Sequence, residues 1–313
     1  MNGCNDGPTV HVPVLASEVL QWLKVRKRGV YVDCTVGDGG HAALIARELD
    51  GGRVIGLDRD PSSVETARRR LSEFSGVTVL HRNYGALAGV LHELGVETVD
   101  GILIDAGFSS AQLDDPARGF SFQADGPLDM RLDPTQSVTA AQFLASVNER
   151  ELAETLRTYG DVGPVRRIAR SILRRRDDHK LHTTRDLAEA VAEALDFVKG
   201  EPAEIRTVFQ ALRIAVNEEY RWLEACVRQG VDALASGGRL VALSYHSGED
   251  RIVKNVFREL AHERRDEYPD GRVRTRLPAC ARVLTPKPVR PSEEEIRRNS
   301  RAHSAKLRVV ERN

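Results

Sequence analysis

Apolar residues along this chain fall into two rhythms. Short aliphatic or β-branched runs at Val30–Val32, Arg53–Leu57, Val77–Leu80, Val99–Ile104 and Arg239–His246 read as buried strands. Helix-period segments separate the first four, at Ala42–Leu49, Ser62–Phe74 and Leu87–Leu94. An earlier helix is expected from Ser17, as N-cap, through Leu20, Trp22 and Leu23. Strand and helix alternating in this way predict an α/β fold with a parallel sheet. After the fifth run, Ser247 and Glu249-Asp250 cap a helix through Leu260, and Ala305–Val310 is expected to be the last strand. Residues 1–10 are expected to be a disordered tail, and 262–303 to be polar, basic turn-and-extended chain.

Midway the alternation stops. Gly107–Asp133 has no sustained period, is rich in Gly, Pro, Ser and Asp, and holds Phe108, Phe120, Phe122 and Met130. An aromatic-bearing stretch of that length predicts a lid or substrate loop. Helical patterns then follow at Ala140–Leu144, Glu149–Tyr159, Val165–Arg176 and Thr184–Leu195 without a strand between them. The alternation resumes with a long helix, Arg206–Val227. The expected organisation is therefore a discontinuous α/β domain, 1–112 and 206–313, interrupted at 113–205 by the loop and a helical insertion.

Composition narrows the class. At 313 residues, 41% hydrophobic and 29% charged, the chain can bury a full core. Lys+Arg 46 balances Asp+Glu 46, so a nucleic-acid surface has to come from local clustering. Such a cluster is present at Arg166, Arg167, Arg170, Arg174–Arg176, Lys180 and Arg185, which is read as an RNA-contacting face of the insertion. Cys4, Cys34, Cys226 and Cys280 are widely spaced with no C-x-x-C pair, so neither a metal site nor a disulfide framework is expected. No apolar run approaches a membrane span and no signal pattern opens the chain, which predicts a cytoplasmic protein without membrane contact.

The candidate chemistry lies at the strand tips. The first strand ends on Asp33, the second on Asp58 and the fourth on Asp105, and a glycine turn, Gly37-Asp38-Gly39-Gly40, follows the first. Ligands of open parallel sheets sit beyond the carboxyl ends of the strands, so the three carboxylates are expected to share one crevice. Glycines let the backbone approach a ligand, and a carboxylate such as Asp58 can accept both hydroxyls of a ribose. The spacing Gly37-x-Gly39-x-x-Ala42 also satisfies a dinucleotide fingerprint, which keeps an NAD-linked oxidoreductase open. Asp33 weighs against it, because a pyrophosphate would be repelled there; a donor with an amino group and a sulfonium, S-adenosylmethionine, suits the acids better. Tyr84, after the third strand, is placed to flank an adenine, and His246 ends the fifth strand, where it either transfers a proton or simply closes the strand.

Longer motifs carry a resemblance. They are His11-Val-Pro-Val-Leu15, Tyr31-Val-Asp33 with Gly39-Gly-His41, Gly56-Leu-Asp58-Arg-Asp60-Pro61, Asp100–Asp105, Ser109–Asp115, Arg118–Phe122 and Asp125–Arg131. The second half adds Thr207–Asn217, His246-Ser247 with Glu249–Lys254, and Arg301–Arg308. With these, the chain resembles the bacterial 16S rRNA (cytosine-N4) methyltransferases, which act on the decoding region of the small ribosomal subunit. The resemblance implies a Rossmann-like (class I) methyltransferase sheet with an inserted all-helical domain, S-adenosylmethionine as cofactor and 16S rRNA as partner. By motif position, Gly39, Gly40, His41, Asp58, Tyr84, Asp105 and Gln112 would line the cofactor pocket. Asp105 and His246 are the candidate catalytic residues, with Phe108 stacking on the base and the Phe120/Phe122 loop gripping flanking RNA. The chain departs from the family pattern at Asp105-Ala-Gly-Phe108, at Gly248 and in a short segment after Leu260. A non-catalytic RNA-binding or ribosome-assembly factor is the other alternative, opposed by the intact Asp33, Asp58 and Asp105.

Overall fold

The computed structural model describes residues 13–107, 110–160, 162–196, 198, 200–267 and 273–313. The chain divides into two compact units, one formed by Met1–Gly107 with Trp222–Asn313 and the other by Phe108–Arg221.

In the first unit the strands are β1 (Val30–Asp33), β2 (Arg53–Asp58), β3 (Val77–His81), β4 (Val99–Asp105), β5 (Leu234–Ser244), β8 (Ala281–Val283) and β9 (Lys306–Arg312), with a separate antiparallel ribbon of β6 (Arg264–Glu267) and β7 (Val273–Leu277). Seven of them form one sheet in the order β3-β2-β1-β4-β5-β9-β8. Strands β1 to β5 run parallel; β9 is antiparallel to β5, and β8 to β9. The order reverses between β1 and β4, as in a doubly wound open sheet, which is the arrangement the resemblance implies. Both faces are covered, as runs such as Val32, Ile102–Ile104 and Leu240–Leu243 require. One face packs against α4 (Leu87–Glu93), α11 (Glu219–Ala233) and α12 (Ser247–Leu260), through Leu87, Val227 and Phe257. The other packs against α1 (Ala16–Leu23), α2 (Gly40–Glu48) and α3 (Pro61–Arg70), through Val19, Ile45 and Val64.

The first helix starts earlier than Ser17. Its N-cap is Leu15, in left-handed backbone at φ 53°, whose N–H donates to Glu295 Oε1 at 2.6 Å. The segment expected to be irregular, 262–303, carries β6, β7, β8 and the helix α13 (Glu293–Arg298). Among the described residues no helix is long and apolar enough to cross a membrane.

The second unit is helical: α5 (Ser110–Asp114), α6 (Ala140–Ser146), α7 (Glu149–Gly160), α8 (Val165–Asp177), α9 (Thr184–Ala194) and α10 (Glu204–Asn217). The long helix expected at 206–227 is two helices, broken at Glu218, which adopts φ 48°. The first of them belongs to this unit, because Ile205, Val208, Phe209 and Leu212 pack into the same core as Leu152, Leu156, Ile168 and Leu187. The irregular stretch before α6 does not hang free as a lid. Phe120, Leu128, Met130 and Leu132 are buried in this helical core, and Phe122 meets Phe209 edge-on at 5.5 Å. Phe120 is therefore a core residue rather than an RNA grip, and Phe122, half-buried, packs against the same core.

Asn217 fixes that loop. It accepts from Leu132 N at 2.7 Å and donates through Nδ2 to Met130 O at 2.7 Å, both bonds buried, while Met130 sits at φ 58°. Asn217→Ala strands a buried N–H and a buried carbonyl, so urea unfolding should show a loss of about 1–3 kcal/mol; a loss below about 0.5 kcal/mol, the size of an ordinary surface substitution, contradicts this.

Candidate functional site

The crevice is set by strand order. β1 lies between β2 and β4, with Asp33 level with Gly56 on one side and Leu103 on the other. Each flanking strand runs two residues further, to Asp58 and Asp105. The three acids thus stand at the carboxyl ends of adjacent strands, close enough that Asp105 and Asp58 both raise the proton affinity of Asp33. Asp33 is 1% exposed, and burial first, then these neighbours, push its carboxyl up to about 7 against the opposing pull of His41. Burial likewise raises Asp58.

Asp58 also shapes the glycine turn. Its Oδ2 accepts from Gly37 N and its Oδ1 from Asp60 N, both at 2.9 Å. Gly37 and Gly39 take φ 49° and 81°, left-handed values that side-chain-bearing residues seldom adopt. A Cβ on Gly39 would come within 3.1 Å of Leu71 Cδ1, and one on Gly40 within 2.8 Å of Pro13 Cγ. The backbone there is bare and α2 starts directly behind it.

His41, in the first turn of α2, is 7% exposed, and both its ring nitrogens are buried without a hydrogen-bond partner. Nε2 lies 3.6 Å from Asp105 Oδ2. The other oxygen of Asp105 accepts from Tyr245 Oη at 2.7 Å, and its backbone N–H donates to Thr35 Oγ1 at 2.7 Å. Burial, then the Asp105 charge, raises the Tyr245 hydroxyl well above its usual value, so it remains a donor. Sequence reasoning passed over Tyr245: the signal was an aromatic two residues past the β5 position that pairs with Asp105. Three carboxylates, an orphaned imidazole and a bare glycine turn fit a ligand that brings hydroxyls and positive charge. They fit S-adenosylmethionine and oppose a pyrophosphate.

Other expected residues are placed as follows. Tyr84 is buried in a 3₁₀ turn (Tyr84–Ala86) after β3, with the Arg59 guanidinium 5.9 Å from its ring centroid. His246 is the N-cap of α12: its Nδ1 accepts from Glu249 N at 3.4 Å, and its Nε2 lies 2.9 Å from Glu249 Oε1. Gln112 belongs to the second unit, on α5, with its side chain buried. Phe108 lies outside the described residues, as do His11 and Ser109 of the motifs.

The arginine run of the second unit is not the unbalanced face expected from local sequence. Arg167 pairs with Asp196 at 2.7 Å, Arg170 with Glu149 at 3.1 Å and Arg174 with Glu193 at 3.4 Å. Arg175 holds both Glu189 and Glu193, and Arg176 donates to the Leu144 and Val147 carbonyls. The acids come from α7, from α9 and from just beyond it, so most charges that look isolated along α8 are balanced across helices, while exposed Arg166, Lys180 and Arg185 stand outside ion pairs among the described residues.

Asp33 makes stability depend on pH. Its carboxyl holds a proton more tightly folded than unfolded, so between its ordinary value of 3.8 and about 7 the folded chain carries the extra proton. Stability from this group is full below that window and is lost as pH rises through it. Urea unfolding of Asp33→Asn should accordingly fall less steeply than wild type between pH 4 and 7; parallel curves would contradict the burial assigned to Asp33.

Residues 8–313 match the model of the MraW methylase family. The chain is 44% identical to the ribosomal RNA small subunit methyltransferase H of Heliobacterium modesticaldum, covering 96% of this chain and 98% of that protein. It is also 44% identical, with the same coverages, to the protein of that name in Pelobacter propionicus. Solved structures are more distant, among them a putative methyltransferase of Streptococcus mutans in complex with SAH, 11% identical with a TM-score of 0.44 over 97% of this chain and 100% of that one. S-Adenosylmethionine is the cofactor, and the chain belongs to the MraW methylase family.

Proposed function

We propose that this chain transfers a methyl group from S-adenosylmethionine to the N4 amino group of a cytidine in the decoding region of 16S rRNA. Small-subunit ribosomal RNA is the substrate for which its near full-length relatives are named, and work on that substrate supports a cytoplasmic enzyme. The observation that carries the chemistry is the Asp105 carboxylate at the β4 tip, held by Tyr245 through one oxygen and facing His41 with the other.

The exocyclic amine of cytosine is a poor nucleophile because its lone pair is delocalised into the ring. A carboxylate that accepts one of its N–H bonds returns electron density to nitrogen, and a fixed carboxylate does so without reorganising. Tyr245 supplies that fixity to Asp105. The bound donor supplies an electrophilic methyl on a sulfonium. As the N4–methyl bond forms and the sulfur–methyl bond breaks, the amine sheds a proton, for which Asp105 Oδ2 is the acceptor. His246 is the second candidate acceptor, once Nδ1 releases its 3.4 Å contact from Glu249 N, with the Glu249 carboxylate stabilising the protonated ring through Nε2. On the donor side, Asp58 takes the ribose hydroxyls, Gly39 and Gly40 give close backbone approach, and His41 offers its unpartnered ring. Tyr84 flanks the adenine, and Gln112 is a further donor-binding residue by its motif position. The target base has to leave its stack to reach a strand-end crevice.

Single-turnover methyl transfer to small-subunit RNA tests this reading. Asp105→Ala should lower the rate by about 100-fold or more, and N4-methylcytidine should be the product of the wild type. A near-wild-type rate removes Asp105 from the reaction, and a different methylated nucleoside removes the cytidine assignment. Tyr245→Phe should lower the transfer rate about tenfold through loss of orientation while leaving S-adenosylhomocysteine affinity within about twofold. A tenfold loss of that affinity instead would make Tyr245 a cofactor-binding residue.

A further inference from the structure

We infer that the outer face of α12 is where this enzyme holds the phosphate backbone of its RNA, an assignment that rests on the function proposed above. Helix α12 begins immediately beyond the β5 tip, with His246 as its cap one residue after Tyr245, the residue bonded to Asp105. Its apolar side, Val253, Val256, Phe257 and Leu260, is buried against the sheet. Its acids are all engaged. Glu249 is buried against His246 and accepts from Tyr245 N; Asp250 takes the Arg308 guanidinium through both oxygens, at 2.6 and 3.1 Å; Glu259 takes Arg228 at 2.7 Å.

The cations of the same helix are not so engaged. Arg251, Lys254 and Arg258 follow at i, i+3 and i+7, a spacing that puts them on one face over two turns. Arg251 and Arg258 are exposed, Lys254 is half-buried, and among the described residues none of the three forms an ion pair. More positive charge adjoins them. Lys306 reaches to 3.9 Å from Asp250, which Arg308 already neutralises. Arg308 also reaches the Pro286 carbonyl at 3.5 Å, and Val289 pairs with Leu307 through two 2.9 Å backbone bonds, which lays exposed Lys287 and Arg290 along β9. Arg251 and Arg258 outside any ion pair, and Lys254 sharing the field of Asp250 with Arg308 and Lys306, leave a net positive face on a helix that starts at the crevice, which matches a polyanion that runs out of it. On α8, by contrast, Arg167, Arg170, Arg174 and Arg175 are spent on acids of their own unit, which leaves Arg166 as the exposed arginine of that helix outside an ion pair among the described residues.

Matched charge removal tests the assignment. One full-length variant carries Arg251→Gln, Lys254→Gln and Arg258→Gln; the other carries Arg167→Gln, Arg170→Gln and Arg174→Gln, so each loses the same charge. Binding of a labelled small-subunit rRNA fragment is followed by anisotropy against salt, with S-adenosylhomocysteine calorimetry reporting the integrity of the fold. The α12 variant should bind the cofactor product as wild type does, bind RNA about tenfold or more weakly, and show a log–log salt slope shallower by about one per cation removed. The α8 variant should keep the wild-type slope. Equal slopes for wild type and the α12 variant overturn the inference, as does an equal effect of both variants. A loss seen with assembled subunits but not with naked RNA would mark a protein contact and also overturn it. Should wild type itself neither bind nor methylate small-subunit RNA, the proposed function fails and takes this surface with it.

Discussion

Three carboxylates held together at the end of a buried sheet are the constraint on which the first unit turns. Burial disfavours charge in this crevice, the neighbouring acids add repulsion, and Asp33 accordingly keeps its proton to about 7. The fold tolerates this because each acid has a local task. Asp33 accepts from Thr35 N, Asp58 fastens the glycine turn, and Asp105 receives Tyr245. What these contacts leave unbalanced is negative charge, and a positively charged donor balances it. Catalytic need and folding cost are therefore carried by the same residues.

The second unit answers a different demand. Its helices bury one face each, and its arginines close ion pairs between α7, α8 and α9 rather than pointing outward as a group. Exposed pairs of this kind add little stability singly, but they cancel the charge that local sequence displays. The buried pair of Arg213 with Glu219, at 2.8 and 3.0 Å, bridges the break at Glu218 and fixes where one helix ends and the next begins. A net positive face lies on α12 and on the 286–290 segment bridged to β9.

Much of this was legible in the chain. The acids at 33, 58 and 105 end apolar runs, and the parallel alternation dictates that such ends meet, so both the sheet and its crevice follow from pattern alone. Gly37 and Gly39 were legible for the same reason, since only a turn needing positive φ uses them so densely. What was not legible depended on contacts between distant residues. Tyr245 meets Asp105 across 140 positions of sequence. The partners of Arg170 and Arg175 sit on other helices. The apolar face of α10 has the same period whichever core it joins, and Phe120 and Phe122 look alike whether they grip a ligand or fill a core. In the region 262–303, short strands pair with β9 or with each other, and their pairing leaves no periodic trace.

The central claim is that the strand-tip acids and the bare glycine turn bind an adenosyl donor carrying positive charge and reject a pyrophosphate. Calorimetric titration of the full-length chain at pH 8 with S-adenosylmethionine and, separately, with NAD tests it most directly. Saturable one-to-one binding of S-adenosylmethionine with no heat from NAD is the predicted result; binding of NAD, or no binding of S-adenosylmethionine, would contradict the account.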